Sequence, residues 1–283
     1  MFYGLAHTES DPMTKMISYA QNHEDVLLAR LFPERYKGFY IDIGSNHPTH
    51  CSITRYFSGE GWTGVNVEPG KIFSVLEKER PNDINLNVAV SDRRGQATFY
   101  EYPDRCTDST LVESVAEANA QEFGAACLKH TVETLTLNDI CTEYVGDRTI
   151  DFLAIDVEGH ELAVVRGMDW RRWRPRVVVV EATRPHSREN ADLSWESMLL
   201  ENDFLFAAFD GLNRFYVRSE DAALLPRLKA PVCVFDEFRS HRHILDLEHV
   251  RQTTLREAKR KTLMTRIADA GRRAGQSVRR LCG

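Results

Sequence analysis

The chain has 283 residues, 42% of them hydrophobic, with a formal net charge of −6. That length suits one large domain, or one domain with an appendage, and the sequence contains no run of about 18 apolar residues able to span a bilayer as a helix. From Arg251 to Gly283 ten Lys or Arg stand against two acidic residues, so this tail carries +8 and the remainder −14; an acidic body argues against a nucleic-acid channel through the core. The N-terminal MFYGLAHTESDPM lacks the basic and apolar regions of a secretory signal. The cysteines at 51, 106, 127, 141, 233 and 282 form no C-x-x-C pair. A cytoplasmic location with reduced thiols is therefore the expectation.

Taken in chain order, residues 17–32 read as a loop and then a helix that ends at Pro33. FYIDIG is a strand, SITRYFSGEG a short helix, TGVNVEP a second strand and KIFSVLEKER a helix closed by Pro81. INLNVAV is the third strand and GQATFYEY an additional one, while residues 104–131 carry no clear pattern. LNDICTEYV is a helix, IDFLAIDVEG the fourth core strand, HELAVVRGM a helix, RVVVVEAT the fifth strand and WESMLLEND a helix. FLFAAFDGLNRFYVR closes this series as a hairpin turning at Asp210-Gly211. The fourth and fifth strands are apolar nearly throughout, as in strands covered on both faces. Alternating strands and helices with a terminal hairpin predict an α/β, doubly wound, Rossmann-like parallel sheet with an antiparallel edge. The expected division is an extension over 1–16, the α/β domain over 17–240 and a basic amphipathic helical tail over 241–283.

In such a sheet ligands bind at the carboxyl ends of the strands. Four of the five core strands carry an acid near that end: Asp42, Glu68, Asp156 with Glu158, and Glu181. The third strand offers Asn87, Ser91 and Asp92. Glu68 lies 24 residues after Gly44, at the tip of the next strand, where a carboxylate can accept both ribose hydroxyls of a nucleoside. The loop GSNHP keeps Gly44 for close backbone approach but lacks the later glycines of a pyrophosphate cradle. S-adenosylmethionine (SAM) has no phosphate, and its cationic groups favour nearby carboxylates such as Asp42 and Asp156. The residues thus favour SAM over NAD.

SYAQNHEDVLL, FYIDIGSNHP, GWTGVNVEP, RPNDINLNVAVSD, DSTL, IDFLAIDVEGHELAVVRG and RPRVVVVE occur in this order. Together they resemble the FkbM-type SAM-dependent O-methyltransferases, over roughly residues 17–183. The resemblance implies a seven-stranded methyltransferase sheet and methylation of a hydroxyl. Its acceptors are sugars of bacterial lipopolysaccharide, capsule or glycolipid, some of them lipid-linked, or secondary metabolites such as macrolides. The NHEDVLL and GSNHP variants look most like members encoded with surface-polysaccharide genes. It also implies that Asp42, Gly44 and Asn46 form the SAM loop, that Glu68 binds ribose, and that Val88 and Ala89 lie on the adenine side. Gln21, Glu24 and Asp25 match an N-terminal element covering the cofactor, and Ser109-Thr110 an S-T pair. Asp156, Glu158 and Glu161 match the D-V-E-G-x-E signature beside the transferred methyl.

Methyl transfer needs an aligned acceptor oxygen and a group that takes its proton. Asp156 is the first candidate to contact the acceptor or the SAM amine. Glu158 stands beside it, and Glu181 is a second acid–base candidate that reads equally as a helix cap or a partner of Arg184. A hard cation such as Mg²⁺ on Asp156, Glu158 and Glu161 is the alternative, but it is not favoured and no metal ligand is assigned. His47 reads as a loop or cap residue more than as one facing the acceptor, and His160 likewise. The tail has a loose apolar stripe beside its arginines; docking on an anionic membrane surface, a solvated helix and an oligomer contact are its readings. A non-catalytic SAM-fold scaffold is the rival from another class, and nucleic acid is not an expected partner.

Overall fold

A computed structural model describes residues 16–281 except 104, 125, 126, 185, 186, 188 and 190. The expected N-terminal extension lies outside the described residues apart from Met16. In chain order the first elements are β1 (Met16–Ser18), α1 (Glu24–Ala29), β2 (Phe39–Ile43), α2 (Arg55–Gly59), β3 (Thr63–Val67) and α3 (Phe73–Glu79). Then follow β4 (Ile84–Leu86), β5 (Ala89–Val90), β6 (Gly95–Glu101), α4 (Glu113–Phe123), β7 (Leu128–Leu135) and α5 (Leu137–Ile140). The series continues with β8 (Phe152–Ile155), α6 (Glu161–Arg166), β9 (Val177–Glu181), α7 (Glu196–Leu200), β10 (Phe204–Phe209), β11 (Asn213–Arg218) and α8 (Leu225–Leu228).

Seven strands form one sheet in the order β10-β11-β9-β8-β2-β3-β4. Five are parallel, and β11 joins β9 antiparallel, carrying β10 at the edge. The order reverses beside β2, which puts the ends of β2, β3 and β8 around one crevice. Alternate residues explain why these strands are apolar throughout. Ile41, Ile43, Leu153, Ile155, Val178 and Val180 point into one core, and Tyr40, Phe152, Val177 and Val179 into the other.

INLNVAV does not form one strand. Residues 84–86 pair with β3, and then the Asn87 amide donates to the Glu68 carbonyl at 2.8 Å. The chain leaves the central sheet there, and Ala89–Val90 pairs with Thr134–Leu135. A small sheet β5-β7-β6 results. The strand expected at GQATFYEY is β6, paired antiparallel with β7. The first half of β7 falls in the stretch without a pattern, because most of its side chains stay in contact with water.

The chain divides into two compact units, with the boundary after Phe238. The second contains α9 (His241–Leu281), a single helix of 41 residues. Leu247, Val250 and Leu255 are each at least half exposed on it. Among the described residues no helix is long and apolar enough to cross a membrane.

Candidate active site

A pocket opens at the carboxyl ends of β2, β3 and β8, and the small sheet supplies its other wall. From the central sheet come Gly44, Asn46, Glu68, Asp156 and Glu158. Val88, Ala89 and Phe99 line the apolar side, Ser109 and Thr110 reach it from the connection after β6, and Gln21 from the segment before α1. Eight of the eleven cofactor positions expected from sequence thus meet in one cavity. Among the described residues that line it there is no Lys, Arg or His.

Gly44 is the hinge of this arrangement. Its φ is +82°, and a Cβ there would stand 1.8 Å from the Asp156 carbonyl oxygen. Only glycine lets the β2 loop lie against the end of β8. The Gly44 and Ser45 amides donate to the Val67 carbonyl at 3.0 and 3.1 Å, which ties the loop to β3. Asn46, at φ +50°, then sends its amide to Glu68 Oε2 at 2.9 Å. Its Oδ1 is buried without a hydrogen-bond partner. An unsatisfied acceptor of this kind in a pocket wall marks a place for a donor of a ligand.

Glu68 is 7% exposed. Its other oxygen accepts the Gly70 amide at 2.7 Å. Burial pushes its carboxyl up to about 7, the two amides oppose this, and the nearby Glu101 and Asp42 add to it. Asp42 does not line the pocket. It is buried behind the loop, accepts the Thr54 hydroxyl at 3.0 Å, and is pushed up to about 6 by burial.

Glu24 and Asp25 likewise stay outside the cavity. Asp25 is fully buried and accepts the Ser18 hydroxyl and the Tyr19, Ala20 and Val26 amides, at 2.7 to 3.3 Å. It folds the segment that delivers Gln21. Glu24 joins that segment to the hairpin, accepting the Asn213 amide group at 2.6 Å and the Asn22 backbone amide at 2.8 Å. Burial and Asp210 push it up to about 8.

At the other end of the pocket the carboxylates of Asp156, Glu158 and Glu181 come within 4.8 Å of one another. Oxygen-only sets suit hard cations, but a shared proton also satisfies such closeness. Burial, and then the charges of Asp156, Glu158 and Glu161, hold Glu181 protonated well above the usual range. Asp156 is itself held above the usual carboxylate range by burial, which the hydrogen bond with Glu181 partly opposes, and burial and the neighbouring carboxylates hold Glu158 up as well. Glu181 does not pair with Arg184, which instead faces Glu189 at 3.6 Å.

Glu158 has φ +52°, a conformation that costs a residue with a side chain on the order of 1 kcal/mol. Two groups hold it. The Thr110 hydroxyl donates to the Glu158 carbonyl at 2.8 Å. Glu161 Oε1 accepts the Val157 and Gly159 amides at 3.3 and 3.0 Å. Glu161, 4% exposed, therefore braces the turn and does not line the pocket. His47 caps its own turn, with Nδ1 accepting the Thr49 and His50 amides at 3.1 Å. His160 Nε2 lies 3.1 Å from the Ser91 hydroxyl, away from the pocket lining. Thr107 and Leu111 also reach the cavity; Leu111 closes the DSTL motif, while the sequence holds no signal for Thr107.

The raised carboxyls predict an unusual pH profile. Burial pushes Glu24 to about 8, Glu68 and Glu161 to about 7, and Asp25 and Asp42 to about 6. Unfolded carboxyls titrate near about 4, so the folded chain holds these protons more tightly. Their stabilisation is complete below that value and is lost as pH rises through 6 to 8. Carboxyls held low by arginines, such as Glu220 at about 2, finish titrating below this window. The melting temperature should fall by roughly 5 °C or more between about pH 5.5 and about pH 8.5. Thermal unfolding followed by circular dichroism at constant ionic strength checks this, and a flat profile would refute it.

The profile of the FkbM methyltransferase domain matches residues 42–206. Methyltransferase sdnD of Sordaria araneosa is 34% identical over 121 residues, covering 35% of this chain and 46% of that protein. The chain thus spans about half the length of the curated relative it matches. Among solved structures, Methyltransferase FkbM from Methylobacillus flagellatus KT is 14% identical, with a TM-score of 0.39 over 65% of this chain and 44% of that one. The matched domain takes in more than half of the chain, from the first pocket strand to the edge hairpin, and the chain belongs to the FkbM methyltransferase domain family.

Proposed function

We propose that this protein is a SAM-dependent O-methyltransferase whose acceptor is a sugar hydroxyl of a bacterial surface polysaccharide, lipopolysaccharide or glycolipid. The observation that carries the reading is one pocket with two chemically different ends. At one end are Glu68, Asn46 and the apolar Val88, Ala89 and Phe99, and at the other Asp156 and Glu158. The first end fits a nucleoside, with Glu68 for the ribose hydroxyls and Asn46 Oδ1 for a donor. The absence of Lys, Arg and His from the described lining disfavours a pyrophosphate and favours a cationic ligand. SAM supplies, when bound, an electrophilic methyl on a sulfonium.

The chain's own contribution at the second end is proton removal. Asp156 is the group that accepts the proton of the acceptor hydroxyl. Glu181 holds its own proton on the far side and keeps Asp156 oriented by a hydrogen bond. Glu158 lines the approach.

Calorimetric titration of the full chain with SAM, and separately with NAD, tests the cofactor half. Saturable SAM binding with no NAD binding is expected; the reverse would overturn the reading. Transfer of a labelled methyl from SAM to a panel of sugar glycosides and small hydroxylated metabolites tests the acceptor half. Asp156→Asn is expected to lower turnover at least about 100-fold while the melting temperature shows an intact fold. Full turnover by the variant would remove Asp156 as the base.

The tail fits the same reading. α9 displays Arg256, Lys259 and Arg260 together with the exposed Leu247, Val250 and Leu255, a mixture suited to an anionic lipid surface. The full chain is expected to pellet with phosphatidylglycerol vesicles and not with phosphatidylcholine vesicles. Replacing Arg256, Lys259 and Arg260 by Glu should abolish the pelleting, and pelleting that persists would end the membrane assignment.

A further inference from the structure

Glu101 lies outside the pocket lining and carries no role in the methyl-transfer reading. It is the last residue of β6 and only 3% exposed. A charged group this deep needs a reason. Its Oε1 accepts the Lys71 backbone amide at 2.5 Å. Glu68 Oε1 accepts the amide of the preceding residue, Gly70, at 2.7 Å. Two successive amides of one turn are therefore taken by two carboxylates from two different sheets. Gly70 stands between them. A Cβ on it would lie 2.8 Å from Glu68 Oε1 and 3.1 Å from Glu101 Oε1.

The turn Pro69-Gly70-Lys71 leads from Glu68 through Ile72 into α3, and the Phe73 amide donates to the Gly70 carbonyl at 3.1 Å. Whatever fixes the Lys71 amide fixes the peptide plane next to the one that holds Glu68. Like charges at this separation repel, and the two amides offset that repulsion by solvating one carboxylate each. The remaining oxygen of Glu101 is buried without a hydrogen-bond partner, with His130 Nδ1 at 3.9 Å. Neither contact explains the burial of Glu101 as well as the turn does.

We propose that Glu101 is a positioning residue for the cofactor: from the small sheet it clamps the 69–71 turn and so sets the carboxylate of Glu68 toward the ribose hydroxyls. This rests on the reading of the pocket as a SAM site. It also gives the small sheet a function beyond walling the pocket, because that sheet carries the clamp.

The test compares two variants in the full chain. Glu101→Gln keeps an acceptor oxygen for the Lys71 amide, and Glu101→Leu removes it at similar volume. Calorimetry with SAM is expected to show the Leu variant at least about tenfold weaker and the Gln variant within about threefold of wild type. Hydrogen exchange of the Lys71 and Gly70 amides in the ligand-free chain should be at least about tenfold faster in the Leu variant alone. A purely packing role would weaken both variants alike and leave these two amides no more affected than those of β6, which would overturn the proposal. Wild-type affinity in the Leu variant would overturn it as well. If the wild type itself fails to bind SAM, the cofactor reading falls, while the exchange of the two amides still decides whether the clamp exists.

Discussion

Replacing Glu68 by Ala is expected to weaken SAM binding about 30- to 100-fold. Glu68 does two jobs at once. It accepts the Asn46 and Gly70 amides, which joins the β2 loop to the β3 turn. Its remaining lone pairs are the ones available to a pair of ribose hydroxyls. A hydrogen bond to a charged group contributes about 1.5–3 kcal/mol, so the loss of one of them covers the stated range. The pH dependence gives an independent readout. The ionised form is the one that accepts, and burial has moved its titration up to about 7. Affinity should therefore strengthen as pH rises through that value, and Glu68→Gln should flatten the profile. Calorimetry across that range decides it. Unchanged affinity in the Ala variant would take Glu68 out of the site.

Gly44→Ala is expected to be the most damaging single substitution for the fold of the site. The added methyl carbon would lie 1.8 Å from the Asp156 carbonyl oxygen, and the backbone already sits at φ +82°. Conformational strain for a residue with a Cβ costs about 1–2 kcal/mol, and forcing extra volume into a packed site costs about 1–3 kcal/mol. Backbone on both sides of the contact leaves little room for relaxation. A destabilisation of about 3 kcal/mol, or roughly 6–12 °C in melting temperature, should result. SAM binding should be lost with it, because moving the loop moves Asn46 and Asp156 together. Thermal unfolding measures the first effect and calorimetry the second. A variant that melts with wild type would show that the loop and the end of β8 are not in contact in solution.

β8 and β9 were legible because burial on both faces leaves an unbroken apolar run. The edge hairpin was legible because Asp210-Gly211 marks its turn. β7 was not, because seven of its eight residues pair with β6 and most of its side chains remain in water. No local hydrophobic period records that kind of pairing. The break between β4 and β5 was hidden for a similar reason. Asn87 looks like one polar residue in an apolar strand, and only its bond to the Glu68 carbonyl shows that the sheet ends there.

Among the carboxylates the sequence could place acids at strand ends but could not assign their work. Asp42, Glu68, Asp156 and Glu181 are alike as letters. Burial behind Thr54 makes Asp42 a brace for the loop, while the pocket makes Glu68 and Asp156 available to a ligand. Glu24, Asp25 and Glu161 carry motif positions, yet their oxygens are used by amide and hydroxyl donors of the protein.

What the sequence determined by itself was the order of strands and helices, the family motifs and the chain positions of the acids, since periodicity, turn chemistry and motif spacing are local properties. What the tertiary structure alone decided was which acids are brought together, which are sealed off by hydrogen bonds, and which side chains from distant segments, such as Thr110 and Glu101, reach the site. Those outcomes depend on desolvation and on donors arriving from elsewhere in the chain, and neither is written in the neighbourhood of the residue they act on.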